Sequence, residues 1–137
     1  MNKNLKKYLG VDWGEARIGL ALADGETKLA TPFKTVGSVA EVLELVQTEA
    51  IDVLVLGRPD SITDTKFPVS KQFEAFLNEL KSKTSVKIET IDERLSSKAA
   101  DALPGSKKTK AGRDEIAAML ILQAYLDKLS QWKKLII

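Results

Sequence analysis

The chain has 137 residues and a formal net charge of +2, from 21 lysines and arginines against 19 aspartates and glutamates. It contains no cysteine and no histidine, which excludes disulfides, thiol nucleophiles, zinc fingers and any mechanism that needs a histidine base. A chain of this length predicts one domain over residues 1–137, and its charge permits a nucleic-acid partner without requiring one. No stretch predicts a signal peptide or a membrane span, so we expect a cytoplasmic protein with no membrane partner.

Five runs rich in aliphatic and β-branched residues predict strands, at residues 8–11, 18–23, 28–36, 51–56 and 86–91. The first two runs flank a short polar turn that contains Gly14, which predicts a hairpin. Pro32 in the third run favours an edge strand. The fourth run is almost continuously apolar, as in a central strand covered by helices, and we expect Gly57–Pro59 to stop it.

Helical spacing of apolar residues alternates with the later strands. Ser38 and Glu41 predict a capping box at the start of one helix, and Val69 to Leu80 carries the apolar stripe of another. A short helix is predicted for residues 96–103. The last helix is predicted from Asp114 to about Leu129, and because it is apolar nearly all round we expect it to be largely buried. This order of elements predicts an α/β fold, with a mixed five-stranded sheet and helices on both faces.

Acidic residues stand where two strands end and where the last helix starts. Asp12 ends the first strand, Asp92 and Glu93 follow the fifth, and Asp114 and Glu115 open the last helix. Sites in open α/β sheets form outside the carboxyl ends of strands, so we expect these acids to converge. Neighbouring carboxylates repel unless a cation neutralises them, and without histidine or cysteine the set suits Mg²⁺ or Mn²⁺.

A basic loop at residues 106–113 lies directly before Asp114 and is placed to hold a phosphate backbone. Each feature also has a plainer interpretation. Asp12 could satisfy a turn amide, Asp114 and Glu115 could complement the helix dipole, and the basic loop could be a solvated tether. The residue pattern leaves both interpretations open.

Four motifs in order, across roughly residues 7 to 129, resemble the YqgF or RuvX family, whose members are assigned as Holliday junction resolvases or as pre-16S rRNA nucleases. The motifs are Leu9-Gly-Val-Asp-Trp-Gly with Ala16-Arg-Ile-Gly-Leu-Ala, then Val55-Leu-Gly-Arg-Pro, then Asp92-Glu-Arg-Leu-Ser-Ser-Lys-Ala-Ala, and Lys110-Ala-Gly-Arg-Asp-Glu-Ile-Ala-Ala. The resemblance implies an RNase H-like fold and metal-dependent hydrolysis of phosphodiester bonds. Arg58, where the family usually has leucine, and the divergent loop 60–66 depart from the pattern.

Carried onto this chain, the resemblance implies that Asp12, Glu93 and Asp114 are catalytic and that, with Asp92, they bind one or two Mg²⁺ or Mn²⁺ ions. Arg17 and Arg94 match arginines of the family, and Lys98 lies in its Ser-rich segment. With the basic loop they complete the predicted nucleic-acid contacts, which are Arg17, Arg94, Lys98, Lys107, Lys108, Lys110 and Arg113.

The implied function is 5′-end maturation of 16S rRNA, with pre-16S rRNA or a pre-ribosomal particle as partner. Resolution of four-way DNA junctions is the alternative, and a non-catalytic RNA- or ribosome-binding module is a third. A phosphotransferase of the actin or hexokinase type is disfavoured, because the chain has one lobe and no second Asp-x-Gly loop. The sequence does not predict the oligomeric state.

Overall fold

The computed structural model describes residues 5–14, 16–58, 69–92 and 112–136, with the backbone alone described at residues 69–70 and 132–136. These residues form five strands, β1 Lys7–Asp12, β2 Ile18–Asp24, β3 Thr31–Val36, β4 Val53–Arg58 and β5 Lys87–Asp92. They also form three helices, α1 Val39–Thr48, α2 Val69–Lys83 and α3 Arg113–Ile136. The short helix predicted for residues 96–103 lies outside the described residues.

The strands form one mixed sheet in the order β3-β2-β1-β4-β5. The β1–β2 and β2–β3 pairs are antiparallel, whereas β1–β4 and β4–β5 are parallel. The predicted hairpin and mixed five-stranded sheet are therefore confirmed, and β3 lies at an edge with Pro32 beside a register shift, as its proline indicated. Since β1, β4 and β5 run the same way, their last residues Asp12, Arg58 and Asp92 lie along one edge of the sheet, here named the carboxyl rim.

Strand β4 continues further than its sequence indicated. Gly57 and Arg58 belong to the strand and pair with Ile91 and Asp92, so β4 ends two residues after the predicted end at Leu56, within the predicted stop at Gly57–Pro59. Both residues are held by their pairing with β5, beyond the last β1–β4 pair of Val11 with Leu56, and a residue before proline favours extended backbone. Both effects keep Arg58 in the sheet and bring its side chain to the carboxyl rim.

Helices cover both faces of the sheet, as predicted. Helices α1 and α2 bury large side chains against one face, among them Phe73, Phe76 and Leu80. Helix α3 covers the other face with a smaller set of buried residues, Ala118, Ile121, Leu122 and Leu126. The sheet is thus the middle layer between two separate apolar clusters.

Helix α3 differs from its sequence-based prediction in burial and length. Only Ala118, Ile121, Leu122 and Leu126 are buried among its described side chains, because the helix contacts the sheet along one side and its other side faces outward. It also extends to Ile136, beyond the predicted end at Leu129. In the described part of the chain, no helix has both the length and the apolarity needed to cross a bilayer.

The start of α1 follows the predicted capping pattern. Ser38 is the N-cap, and its Oγ accepts the Glu41 backbone N–H at 3.3 Å. Glu41 Oε2 in turn accepts the N–H of Gly37 at 2.6 Å. Two backbone donors at the helix start are therefore satisfied by the Ser38–Glu41 pair.

Candidate active site

Asp12 ends β1 in the middle of the carboxyl rim and is half-buried there. Across the hairpin it pairs with Gly19, the second residue of β2. Because strands β2 and β4 flank β1, the backbone that carries Asp12 is fixed on both sides. A carboxylate at such a strand end has the rigid support that a metal ligand or a general base needs.

Three glycines on adjacent strands let α3 approach the sheet closely. A Cβ at Gly10 would lie 2.7 Å from Leu122 Cβ and 2.8 Å from the Ala118 carbonyl oxygen. A Cβ at Gly57 would lie 2.9 Å from Ile121 Cγ1. At Gly10 the clash would be with the helix backbone, so glycine is required there, whereas at Gly57 it would be with the Ile121 side chain, which would have to shift.

The third glycine brings the start of α3 to Asp12. A Cβ at Gly19 would collide with the backbone carbonyl of Asp114. Gly19 is also the β2 partner of Asp12 in the hairpin register. Asp12 and Asp114, which are far apart in the sequence, are therefore brought to the same point of the carboxyl rim.

Arg17 pairs with Asp114 on the outer side of this point. Its Nε lies 3.2 Å from Asp114 Oδ2, with the arginine side chain 73% exposed and the aspartate 29% exposed. An exposed ion pair of this kind contributes little to stability, about 0–1 kcal/mol. Its geometric effect is to hold the Asp114 carboxylate in one orientation at the rim.

Glu115 has a different role from its neighbour Asp114. Its carboxylate accepts a hydrogen bond from Thr35 Oγ1 of β3 at 3.0 Å and another from the Gly112 N–H at 3.1 Å. One bond caps the helix and the other ties its first turn to the edge strand. Glu115 is therefore used for anchoring, whereas Asp114 faces Arg17.

Asp92 ends β5 at the carboxyl rim, where it pairs with Arg58 in the strand register. The Arg58 guanidinium forms an ion pair with Glu74 of α2 and lies 5.3 Å from the centre of the Phe73 ring. The Trp13 ring, next to Asp12, contacts the same Phe73 ring edge-on at 6.2 Å. Helix α2 thus supports the rim from the face opposite α3.

The structure describes five of the predicted site residues, which are Asp12, Arg17, Asp92, Arg113 and Asp114. Arg113 is exposed at the first turn of α3. The remaining ones, Glu93, Arg94, Lys98, Lys107, Lys108 and Lys110, lie outside the described residues. Within residues 5–14, 16–58, 69–92 and 112–136, no group of three acidic side chains is close enough to hold a metal ion. The functional roles of all these residues stay predictions.

Sequence reasoning missed the residues that position the acids. Gly10, Gly19 and Gly57 had no predicted packing role, and the links from Thr35 to Glu115 and from Arg58 to Glu74 were not foreseen. One signal was present in the sequence. A glycine inside an otherwise apolar strand often marks a close approach of another backbone, and Gly10 and Gly19 lie inside such runs, whereas Gly57 directly follows one.

Solved structures with the same arrangement of strands and helices show the class of fold. A complex of T. thermophilus RuvC with a Holliday junction substrate superposes with a TM-score of 0.58 at 11% identity, over 88% of this chain and 93% of that one. A complex of fowlpox virus resolvase with Holliday junction DNA gives a TM-score of 0.51 at 16% identity, over 90% and 98% of the two chains. The fold is RNase H-like, as the motif resemblance implied.

The RuvX family model, described as Holliday junction resolvase, matches residues 6–128. A Chloroflexus aurantiacus protein called "Putative pre-16S rRNA nuclease" is 35% identical over 87% of this chain and 85% of its own length. A protein of the same name from Shewanella oneidensis is 34% identical over 90% and 96%. The chain belongs to the RuvX family, and the family and these relatives together support a nuclease, a hydrolase that acts on nucleic acid.

Proposed function

We propose that the protein is a divalent-metal-dependent endonuclease that acts on precursor 16S rRNA, with Asp12, Glu93 and Asp114 as its catalytic acids. One observation carries this proposal. The close approach of Gly19 to the first turn of α3 puts Asp114 beside the strand end that bears Asp12. Asp92 ends a strand on the same rim, and Glu93 is the next residue along the chain.

The donor set fits a hard divalent cation. Carboxylates gathered at one rim repel each other, and a cation relieves that repulsion. The chain has no histidine or cysteine, so oxygen atoms are the available ligands, which suits Mg²⁺ or Mn²⁺. Asp12 and Asp114, with Asp92 or Glu93, would hold one or two ions. When bound, such ions activate a water for attack on phosphorus and stabilise the leaving 3′ oxygen.

Basic residues of the chain would orient the Asp114 carboxylate and bind the phosphate backbone of the substrate. Arg17 holds the Asp114 carboxylate through its 3.2 Å ion pair, and its exposed guanidinium can also contact a phosphate. Arg113 is exposed beside Asp114, at the end of the basic loop that carries the predicted contacts Lys107, Lys108 and Lys110. Cations on that side of the acids would hold the backbone of the substrate across the rim.

RNA is the preferred substrate because of the relatives, which carry the pre-16S rRNA nuclease name at 35% and 34% identity over most of the chain. Four-way DNA is the second candidate. It is favoured by the description of the family model and by two structural neighbours that are complexes with Holliday junctions. Phosphate contacts do not tell RNA from DNA, so a direct assay has to decide.

The test compares the wild type with Asp12→Asn, Asp114→Asn and the control Asp127→Asn, which changes an exposed carboxylate on the same helix. Each is incubated with an RNA carrying the precursor 16S 5′ leader or with a labelled four-way DNA junction, in Mg²⁺, Mn²⁺ or EDTA. We expect metal-dependent RNA cleavage that falls by about 100-fold or more in the two rim variants, the scale of losing a catalytic group. Asp127→Asn should cleave normally.

Asp114→Asn should also unfold at the same temperature as the wild type or higher, because it removes repulsion between carboxylates. A folded and fully active Asp114→Asn would remove Asp114 from the site. Cleavage in EDTA would contradict the metal requirement, and symmetric cleavage of the junction alone would favour the second candidate. Binding without cleavage of RNA, junction and pre-ribosomal particle alike would show a binding module instead of a nuclease.

A further inference from the structure

A cavity of about 340 Å³ opens at the rim opposite the candidate acids, where β1 and β5 begin and β2 ends. Three lysines from separate segments line it, Lys6 before β1, Lys28 after β2 and Lys87 at the start of β5. None of the described residues that line this cavity is acidic, but two carboxylates lie outside it and raise the pKa of its tyrosines, Asp52 that of Tyr8 and Glu89 that of Tyr125. Ammonium groups gathered around one concave space repel each other, and an anion between them relieves that repulsion.

Two tyrosines form an aromatic wall of the same cavity. The rings of Tyr8 and Tyr125 lie 6.2 Å apart between centres and are tilted by 57°. Tyr8 is only 8% exposed, and in the described part of the chain no hydrogen bond to either hydroxyl is found. Tyr8 is buried and Tyr125 is partly buried, and a buried tyrosine hydroxyl usually has a partner, which a ligand in the cavity would supply. Burial, the largest cause, raises the pKa of both tyrosines, which keeps their hydroxyls protonated as donors.

Lys28 is held at the edge of the cavity in an unusual backbone conformation. Its φ is 57°, in the left-handed region that side chains other than glycine rarely adopt. Gln123 of α3 fixes this loop, since its Nε2 donates to the Lys28 carbonyl at 3.1 Å and its Oε1 accepts the Ala30 N–H at 2.9 Å. These two hydrogen bonds fix the backbone that carries Lys28 at the edge of the cavity.

We propose that this cavity binds a free nucleoside di- or triphosphate, with the lysines around the phosphates and the nucleoside against the tyrosine rings. The positive charges of these lysines oppose the negative charge of such a phosphate chain. Val53 and Leu126 add aliphatic surface beside the tyrosines, so one part of the wall is cationic and another is apolar. The volume lies at the lower end of the range for small-ligand pockets, about 300–1,000 Å³. A continuous strand would need an open groove instead.

The cavity is separate from the candidate active site. Tyr125 lies eleven residues after Asp114 on α3, which is roughly 16 Å along a helix that rises 1.5 Å per residue. Lys6, Lys28 and Lys87 belong to none of the motifs that carry the family resemblance. Nucleotide binding here therefore does not depend on the nuclease proposal.

Glu89, whose carboxylate pairs with Lys87, lowers the expected affinity of the cavity for a phosphate group. The Lys87 ammonium lies 3.1 Å from Glu89 Oε1, and Glu89 lines an adjoining cavity that also contacts Tyr125. A phosphate group has to compete with this carboxylate for Lys87. Replacing Glu89 with glutamine should therefore strengthen binding, which a merely structural ion pair would not predict.

The test is calorimetric titration of the full chain with ATP, inorganic tripolyphosphate and adenosine, in EDTA so that no metal bridges phosphate to the rim acids. ATP should bind, and Lys28→Ala and Lys87→Ala should each weaken it by about tenfold, as expected for a lost charge-assisted contact. Tyr8→Phe should weaken it less, and Glu89→Gln should strengthen it. Lys34→Ala is the matched control, because Lys34 is an exposed lysine of β3 outside the cavity.

Absence of ATP binding to the wild type would overturn the proposal. So would a loss of affinity in Lys34→Ala equal to that in Lys28→Ala, which would show attraction by net charge alone. Tripolyphosphate that binds as tightly as ATP would refute nucleoside recognition, and a short RNA that displaces ATP at lower concentration would assign the cavity to nucleic acid. Asp114→Asn should bind ATP normally, which separates this result from the nuclease test.

Discussion

The two faces of the sheet are packed by different means. On the α1 and α2 face, Phe73, Phe76 and Leu80 fill the space between sheet and helices. On the α3 face, Gly10 and Gly19 leave no side chain between the strands and the helix backbone, and Gly57 leaves room for the Ile121 side chain.

The two faces therefore make different contributions, one mainly to the free energy of folding and the other to the placement of a helix. Large side chains bury more apolar surface, about 25 cal/mol for each Å² removed from water, so the α1 and α2 face should contribute more to the free energy of folding. Glycine contacts bury less but allow almost no displacement of the helix. The face that carries Asp114 therefore fixes the position of α3, and the other face supplies more of the free energy of folding.

Leu80→Ala should have the largest effect on stability. Leu80 is fully buried near the end of α2, away from the carboxyl rim, and its truncation leaves a cavity. We expect a loss of about 2–5 kcal/mol in the free energy of unfolding, measured by urea denaturation. The nuclease rate of the folded fraction should be unchanged. A rate that falls in proportion to the lost stability would show that the two faces do not differ in this way.

Gly19→Ala should affect stability less than Leu80→Ala does and the cleavage rate more. The new Cβ would displace the Asp114 backbone, and such overpacking costs about 1–3 kcal/mol. The misplaced carboxylate should lower the cleavage rate by about 100-fold, as small misplacements of reacting groups do. Gly37→Ala is the control, since its Cβ would meet only Glu41 Oε2 at 3.7 Å. Normal activity in Gly19→Ala would refute the role of this contact in placing Asp114.

Thr35→Val should have the smallest effect and tests the outer anchor of α3. It removes the hydroxyl that donates to Glu115, for a loss of about 0.5–1.5 kcal/mol in unfolding free energy. Thr31→Val on the same strand removes a longer, exposed bond to the Leu22 carbonyl, so it should change stability less. The cleavage rate should fall more in Thr35→Val than in Thr31→Val. Equal rates would show that the glycine contacts alone position the helix.

The sheet and its order of elements were predictable because they follow from local patterns. Two apolar runs around Gly14 indicated the hairpin, and the nearly continuous apolar run before Gly57 indicated a central strand. The last two residues of β4 were not predictable, because glycine is a common stop signal and the pairing that keeps Gly57 and Arg58 in the sheet comes from β5. The burial of α3 on one side only was not predictable either. It depends on what packs against the helix, and the helix's own sequence does not show that.

The candidate site was predictable only as a set of residues. Asp12 and Asp114 stood out because one ends a strand and the other opens a helix. The proximity of the two acids depends on Gly19, because α3 could not lie against β2 at this point if the residue had a side chain. The partners of Arg58 were not predictable either, because Glu74 and Phe73 belong to a helix whose orientation is a property of the folded chain.

The separation of the two acids along the chain has a consequence for biosynthesis. Asp12 is on the first strand and Asp114 on the last helix. Ribosomes add about 5–20 residues each second, so strands can pair while α3 is still inside the exit tunnel. Until α3 emerges and settles on the strand glycines, the acids of the site are not assembled. The placement of Asp114 beside Asp12 is therefore among the last steps in the folding of a newly made chain.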